Sequence, residues 1–257
     1  MKKIVILAFS VLIITNTAKT QTIHQLETKL GAGGLALRDK SMSPLMYSGS
    51  NFSGAIAYSK QTDKKTVFFQ FNHHRAAISN QFGNSSVFRG FALKNHNLYN
   101  LNDEQGGFAW GWSNNNYFNY YQNQGFGNFS ERSNYFTTFG LAGQYKKHFN
   151  LFGRDFDFTV PVDIQLVGFY LRPSYVSNSP EGYLYPDNSG FGAWYKSIEA
   201  LLPHRAWNFG LSPNLSLLLK SGNSISISYQ YEFFRINNPQ PISQSSGVWF
   251  VSLTTRL

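Results

Sequence analysis

What most constrains this chain is an alternation of apolar and small polar residues with a period of two. The alternation continues well beyond the 5 or 6 residues of an ordinary strand. In the run Phe156, Phe158, Val160, Val162, Ile164 and Leu166 the intervening positions are Asp157, Thr159, Pro161, Asp163 and Gln165. Trp207, Phe209, Leu211, Leu215 and Leu217 alternate with Asn208, Gly210, Ser212, Asn214 and Ser216. Ile225, Ile227, Tyr229, Tyr231 and Phe233 alternate with Ser224, Ser226, Ser228, Gln230 and Glu232. Phe52, Ile56 and Tyr58, then Val67, Phe69 and Phe71, then Trp249, Val251, Leu253 and Leu257 repeat the pattern. Successive side chains of a strand point to opposite faces, so each segment has one bulky apolar face and one small polar face.

A soluble sandwich also alternates, so length and face chemistry must separate the two cases. These segments match the 9 to 11 or more residues that a tilted strand needs to cross a bilayer. A bulky face with aromatics near its ends suits lipid and its interfaces, and a Gly, Ser, Asn, Thr and Gln face suits a lumen. The expected fold is all-β, a closed up-and-down antiparallel transmembrane β-barrel. Strands fall near 28–38, 50–61, 64–76, 87–100, 106–121, 133–147, 155–171, 205–220, 223–236 and 245–257. That is ten, with eight or twelve as the alternatives, because 95–102 and 114–121 alternate irregularly.

The links alternate in length. Tight turns are expected at Gln61 to Lys64, Leu101 to Gln105 and Ser221 to Asn223, with a longer one at His148 to Arg154. Long links are expected at Asp39 to Gly49, Ala77 to Ser86, Gln122 to Arg132, Arg172 to His204 and Asn237 to Gln244. Short turns would face the periplasm and long links the exterior. Ile198 to Leu202 has the composition for one helical turn before Pro203, which would end it.

The N-terminus begins Met-Lys-Lys, continues apolar from Ile4 to Ile14, and turns small and polar through Ala18 and Thr20. This is the pattern of a secretory signal peptide, and 11 apolar residues span only about half a bilayer as helix. Residues 1–20 are read as the signal and 21–257 as the barrel domain, which places the protein in a bacterial outer membrane. With no cysteine in the chain, disulfides, thiolate metal sites and a lipoprotein anchor are excluded. The 22 basic residues outnumber the 13 acidic ones but form no stripe, so nucleic acid is not an expected partner.

The signal, the alternating segments and the terminal Gly247-Val248-Trp249-Phe250-Val251-Ser252-Leu253-Thr254-Thr255-Arg256-Leu257 together resemble outer-membrane β-barrels of the Bacteroidota type. The last segment is similar to the signal by which barrel-assembly machinery recognises its clients, with Leu257 in place of the usual terminal Phe. Ser43 to Gly49 resembles a segment of uncharacterised barrels of that phylum and carries no activity with it.

Several residues invite chemistry. Gly31 to Gly34 lies within a strand with no helix after it, so it reads as glycine lining a lumen and not as a phosphate loop. Neighbours on a strand face opposite ways, so His73 and His74 do not share a metal: His74 is assigned to the lumen or rim and His73 to the outer face. A rim enzyme would need a Ser-His or Asp-His pair near the barrel rim, where His74 and His204 fall with Glu131, Glu181, Asp187 and Glu199 in neighbouring loops, and no stretch matches an enzyme motif. No catalytic, cofactor or metal residue is assigned.

Inside the barrel, Lys146, Asp157, Asp163, Lys220 and Glu232 should form an ionic network that fills the lumen. The alternative is a narrow solute path lined by the same charges. The loop 172–204 carries Tyr183, Tyr185, Phe191, Trp194 and Tyr195, too many aromatics for a solvated linker, and is the expected binding surface. The expected function is a non-enzymatic structural, binding or accessory component acting through its loops. Expected partners are outer-membrane lipid, lipopolysaccharide and another envelope protein. A narrow channel is the alternative, and a rim enzyme acting on envelope lipid or peptide the third reading.

Overall fold

A computed structural model describes residues 22–40, 43–101, 107–123, 131–171, 198–237 and 241–257. The signal segment 1–20 and most of loop 172–204, with Tyr183, Tyr185, Phe191, Trp194 and Tyr195, lie outside the described residues. The strands are β1 (Ile23–Asp39), β2 (Tyr47–Gln61), β3 (Lys65–Ser79), β4 (Ser85–Asn100), β5 (Gly107–Asn123), β6 (Glu131–Leu151) and β7 (Arg154–Leu171). Then come three short pieces, β8 (Glu199–Leu201), β9 (Ala206–Leu211) and β10 (Asn214–Leu218), followed by β11 (Ser224–Ile236) and β12 (Ile242–Arg256).

From β1 to β7 each strand pairs antiparallel with its neighbour in sequence, β11 pairs with β12, and β12 pairs with β1 from Gln25↔Arg256 to Asp39↔Ile242, which closes the ring. The pieces β8, β9 and β10 all pair with β7, and β9 and β10 also pair with β11, so together they occupy one place in the wall. The architecture is therefore an all-β, closed, ten-strand antiparallel barrel with meander topology.

The eighth wall strand was expected unbroken from 205 to 220. Instead it breaks at Ser212-Pro213, opposite Pro161 on β7. Neither proline can donate to the ladder, and the surviving bonds run from Ser212 N to Pro161 O at 3.0 Å and from Tyr229 N to Pro213 O at 3.0 Å. It breaks again at Pro203, where Arg205 N and Ala206 N both donate to Leu202 O at 2.8 and 2.9 Å. The helical turn expected at Ile198 to Leu202 is not formed, because Glu199–Leu201 takes up ladder positions beside Gly168, Phe169 and Tyr170 of β7. A bulge at Leu166, where the β6–β7 register shifts, turns both Leu166 and Val167 outward.

Two links differ from expectation. The turn expected to be long at His148 to Arg154 is the tightest of all, because β6 and β7 continue to Leu151 and Arg154. Its two residues, Phe152 and Gly153, have φ of 53° and 71°, the left-handed pair that suits the twist of a two-residue hairpin. The link after β3 is only residues 80–84, where Asn80 Oδ1 accepts the backbone N–H of Phe82 at 2.9 Å and of Asn84 at 3.1 Å. The link 101–106 is one residue longer, so link length does not distinguish the two ends at these hairpins.

The irregular stretch 114–121 does not interrupt β5. Asn114 and Asn116 alternate with the buried Ser113 and Asn115, so they face outward. Asn116 Nδ2 donates to Asn114 Oδ1 at 2.9 Å, and Asn114 Nδ2 donates to Thr138 O at 3.0 Å. Satisfying those amides locally lets the strand carry polar residues on its apolar side.

Elsewhere the outer face is the bulky face, with Leu30, Phe52, Ile56, Phe71, Leu215, Ile227, Trp249 and Val251 all exposed. The inner face is not uniformly small and polar. Toward the end bearing the long links it is apolar, with Leu35, Leu37, Tyr47, Ile78, Phe88, Tyr121, Phe136, Tyr170, Leu201, Ile236 and Ile242 packed into one buried cluster. Each of the ten wall strands contributes to it. This is the hydrophobic core of the molecule, and it lies inside the barrel.

Candidate functional site

From the short-turn end to the long-link end the lumen has three layers. The first is a polar vestibule of about 570 Å³, lined among others by Glu27, Lys146, His148, Asp157 and Arg256. Lys146 Nζ lies 2.9 Å from Asp157 Oδ2, and His148 Nδ1 lies 2.9 Å from Asp157 Oδ1, since β6 and β7 present these side chains to the same face. Across the vestibule Lys29 pairs with Glu27 at 3.0 Å, and Ser252 Oγ donates to Glu27 at 2.7 Å.

The second layer is a buried polar belt. Lys94 on β4 forms an ion pair with Glu232 on β11, and Gln230 donates to the same Glu232 oxygen. Asp163 Oδ2 accepts Asn115 Nδ2 at 3.0 Å and Gln165 Nε2 at 2.9 Å, and that same Gln165 nitrogen also reaches Ser113 Oγ at 2.9 Å. Gly210 makes room for the Asp163 carboxylate, because a Cβ there would collide with it. None of Lys94, Asp163 and Glu232 lines the vestibule, which therefore ends below them.

The third layer is the apolar cluster. The Phe136 ring packs 4.6 Å from Phe234 and 6.4 Å from Tyr170, and Phe88 packs 5.2 Å from Tyr121. In this layer Asn134 Nδ2 donates to Tyr121 OH at 3.3 Å.

The five charges read from sequence are thus distributed over layers and do not form one network. Lys146 and Asp157 pair at the vestibule, Asp163 and Glu232 belong to the belt, and Lys220 is exposed in the turn between β10 and β11. Lys220 leaves the lumen because the strand stops at Leu218. The partner of Glu232 is Lys94, which the sequence reading missed. The signal was there: Gly90, Ala92, Lys94 and His96 form the buried, inward side of an alternation with the exposed Phe91 and Leu93.

His74 and His73 face opposite ways, as strand geometry requires. His74 Nδ1 lies 2.6 Å from Ser53 Oγ inside the lumen, and the His73 ring packs 4.9 Å from Phe91 on the outside. His74 and Glu232 line a void of about 20 Å³, room for about one water and not for a substrate. His204 is exposed in the Pro203 turn, while Glu199 accepts the Tyr170 hydroxyl at 2.8 Å. Of the residues considered for catalysis, His74 thus meets a hydroxyl, that of Ser53, beside a void too small for a substrate, and neither His74 nor His204 forms an ion pair with an acid among the described residues.

No family model matches the chain, and no curated protein matches it. Among solved structures it is similar to the translocator domain of the autotransporter NalP from Neisseria meningitidis, with 10% identity, a TM-score of 0.36, and coverage of 91% of this chain and 89% of that one. It is likewise similar to the transport unit of the autotransporter AIDA-I from Escherichia coli, with 10% identity, a TM-score of 0.39, and coverage of 95% and 93%. The P. putida toluene transporter TodX is similar at 7% identity and a TM-score of 0.25, with coverage of 93% and 90%. At such values the likeness carries nothing about activity, and the barrel rests on the strand pairing described above.

Proposed function

We propose that this chain is an integral outer-membrane β-barrel that works as a closed, non-enzymatic structural or binding component and not as a conduit. The membrane reading is supported by the outer wall, where exposed Leu, Ile, Val, Phe and Trp side chains ring the barrel. So large a continuous apolar surface would be costly in water and suits lipid. The export pattern of residues 1–20 and the resemblance of Gly247 to Leu257 to Bacteroidota barrels agree with it.

The single observation that carries the closed reading is the apolar cluster to which every wall strand contributes. Ions cross a pore through water or polar groups, and a packed apolar layer offers neither. The belt beneath it adds a second barrier, because the Lys94 ammonium is already neutralised by Glu232. With the lumen blocked, contacts with an envelope partner fall to the loops, the vestibule and the outer wall.

Reconstitution in planar bilayers tests this. The wild-type barrel should show no discrete conductance, and a variant with Phe88→Gly, Phe136→Gly and Tyr170→Gly together should conduct. Stable single-channel steps from the folded wild-type protein would overturn the closed reading.

A further inference from the structure

On the outer wall Arg75 of β3 and Arg89 of β4 are directly opposite each other in the ladder, and both are exposed. Opposed residues on one face have Cβ atoms about 5 Å apart, so two guanidinium groups there repel each other. Neither forms an ion pair with a carboxylate among the described residues. Both arginines stand four residues from the strand ends at the long-link rim, beyond the most apolar part of the wall.

Below Arg75, and extending from β3 toward β12, the wall is hollowed. An open groove of about 700 Å³ is bounded by Leu30, Ile56, Phe71, His73, Val251 and Leu253. Its floor is Gly54, which pairs with Leu30 on one side and His73 on the other and leaves the space a side chain would fill. His73 and Arg75 share the outward face of β3 about 7 Å apart, so the groove leads up to the paired arginines.

We infer that the Arg75/Arg89 pair and the Gly54 groove form one binding site for a phosphorylated lipid of the outer leaflet, the phosphate bridging the guanidinium groups and an acyl chain lying over Gly54. Guanidinium forks match phosphate oxygens in pairs, and an anion between them turns a repulsive contact into an attractive one. The apolar walls account for the chain and the basic pair for the head, which neither feature does alone. The inference rests on the outer-membrane reading and names one ligand for its outer wall.

The test is lipid binding to the full mature barrel in nanodiscs, followed by native mass spectrometry. Diphosphoryl lipid A, the same lipid with its phosphates removed, and inorganic phosphate are titrated separately. Diphosphoryl lipid A should bind one copy per barrel, at least about tenfold more tightly than the dephosphorylated lipid. Inorganic phosphate up to millimolar concentration should not displace it. Arg75→Gln with Arg89→Gln should remove that preference, Arg75→Lys with Arg89→Lys should retain part of it, and Gly54→Leu should weaken both lipids.

Equal binding of phosphorylated and dephosphorylated lipid, or an unchanged preference in the double Gln variant, would overturn the proposal. So would displacement by inorganic phosphate alone, or an unaltered Gly54→Leu variant. Heat-modifiable migration and a β-rich spectrum of each variant report barrel insertion independently. A folded barrel that ignores phosphate thus defeats the lipid site and leaves the outer-membrane reading standing.

Discussion

Lys94 and Glu232 form an ion pair across the full diameter of the barrel: β4 and β11 hold the fourth and ninth of ten places in the wall, five apart in either direction. No nearer pairing would tie opposite walls together so directly. Removing one partner leaves a buried charge without compensation, so Glu232→Gln should cost about 3 to 5 kcal/mol. Lys94→Met combined with Glu232→Met should restore most of that loss. Denaturant unfolding of the lipid-reconstituted barrel measures both, and additive effects of the two single variants would show that the groups are uncoupled.

The apolar cluster should respond as a protein core. Phe136 is 1% exposed and contacts Phe234 and Tyr170. Phe136→Ala should therefore destabilise by about 3 to 5 kcal/mol, as large-to-small changes in cores do. Truncating the outward Phe69 should cost clearly less, since lipid can fill the space. The same unfolding measurement compares the two.

The outer wall supplies a contrasting prediction. Leu30 stands near the middle of β1 and is 77% exposed. Leu30→Arg should cost about 2 to 4 kcal/mol at the bilayer midplane, whereas Arg38→Leu near the rim should change little. Equal effects measured in bilayers would mean that the hydrocarbon band lies elsewhere on the wall.

The Phe152-Gly153 hairpin stores a little strain, because Phe152 is a bulky residue at positive φ. Phe152→Asn should stabilise by up to about 1 kcal/mol, and Gly153→Val should cost about 1 to 2 kcal/mol. Unfolding midpoints of the two variants should move in opposite directions.

Much of the wall was legible because one rule holds on strand after strand: Leu30, Ile56, Phe71, Leu215, Ile227 and Val251 all share the period-two phase and all face outward. The apolar cluster was less legible because it uses the same residue types on the other phase. Leu35 and Leu37 point inward from the strand on which Leu30 points outward, and only ring closure shows that they meet Ile242 and Phe88. Lys94 was passed over for a related reason, since its partner is 138 residues away on the opposite wall. Pairings within one hairpin, such as Lys146 with Asp157, follow from register and were within reach. Asn114 and Asn116 obscured their strand because their hydrogen bonds depend on neighbours the local sequence does not reveal.

The most direct test of a closed lumen is the reactivity of single cysteines, which this cysteine-free chain makes unambiguous. Cysteine placed at Ser59 or Thr159 faces the vestibule, and cysteine at Ala76, which is 1% exposed, sits within the apolar cluster. In the membrane-inserted barrel a small, charged, water-soluble thiol reagent should modify Ser59→Cys and Thr159→Cys readily and leave Ala76→Cys unreacted until the barrel is unfolded. Rapid modification of Ala76→Cys in the folded barrel would contradict the account, because it would place water where a packed plug is described.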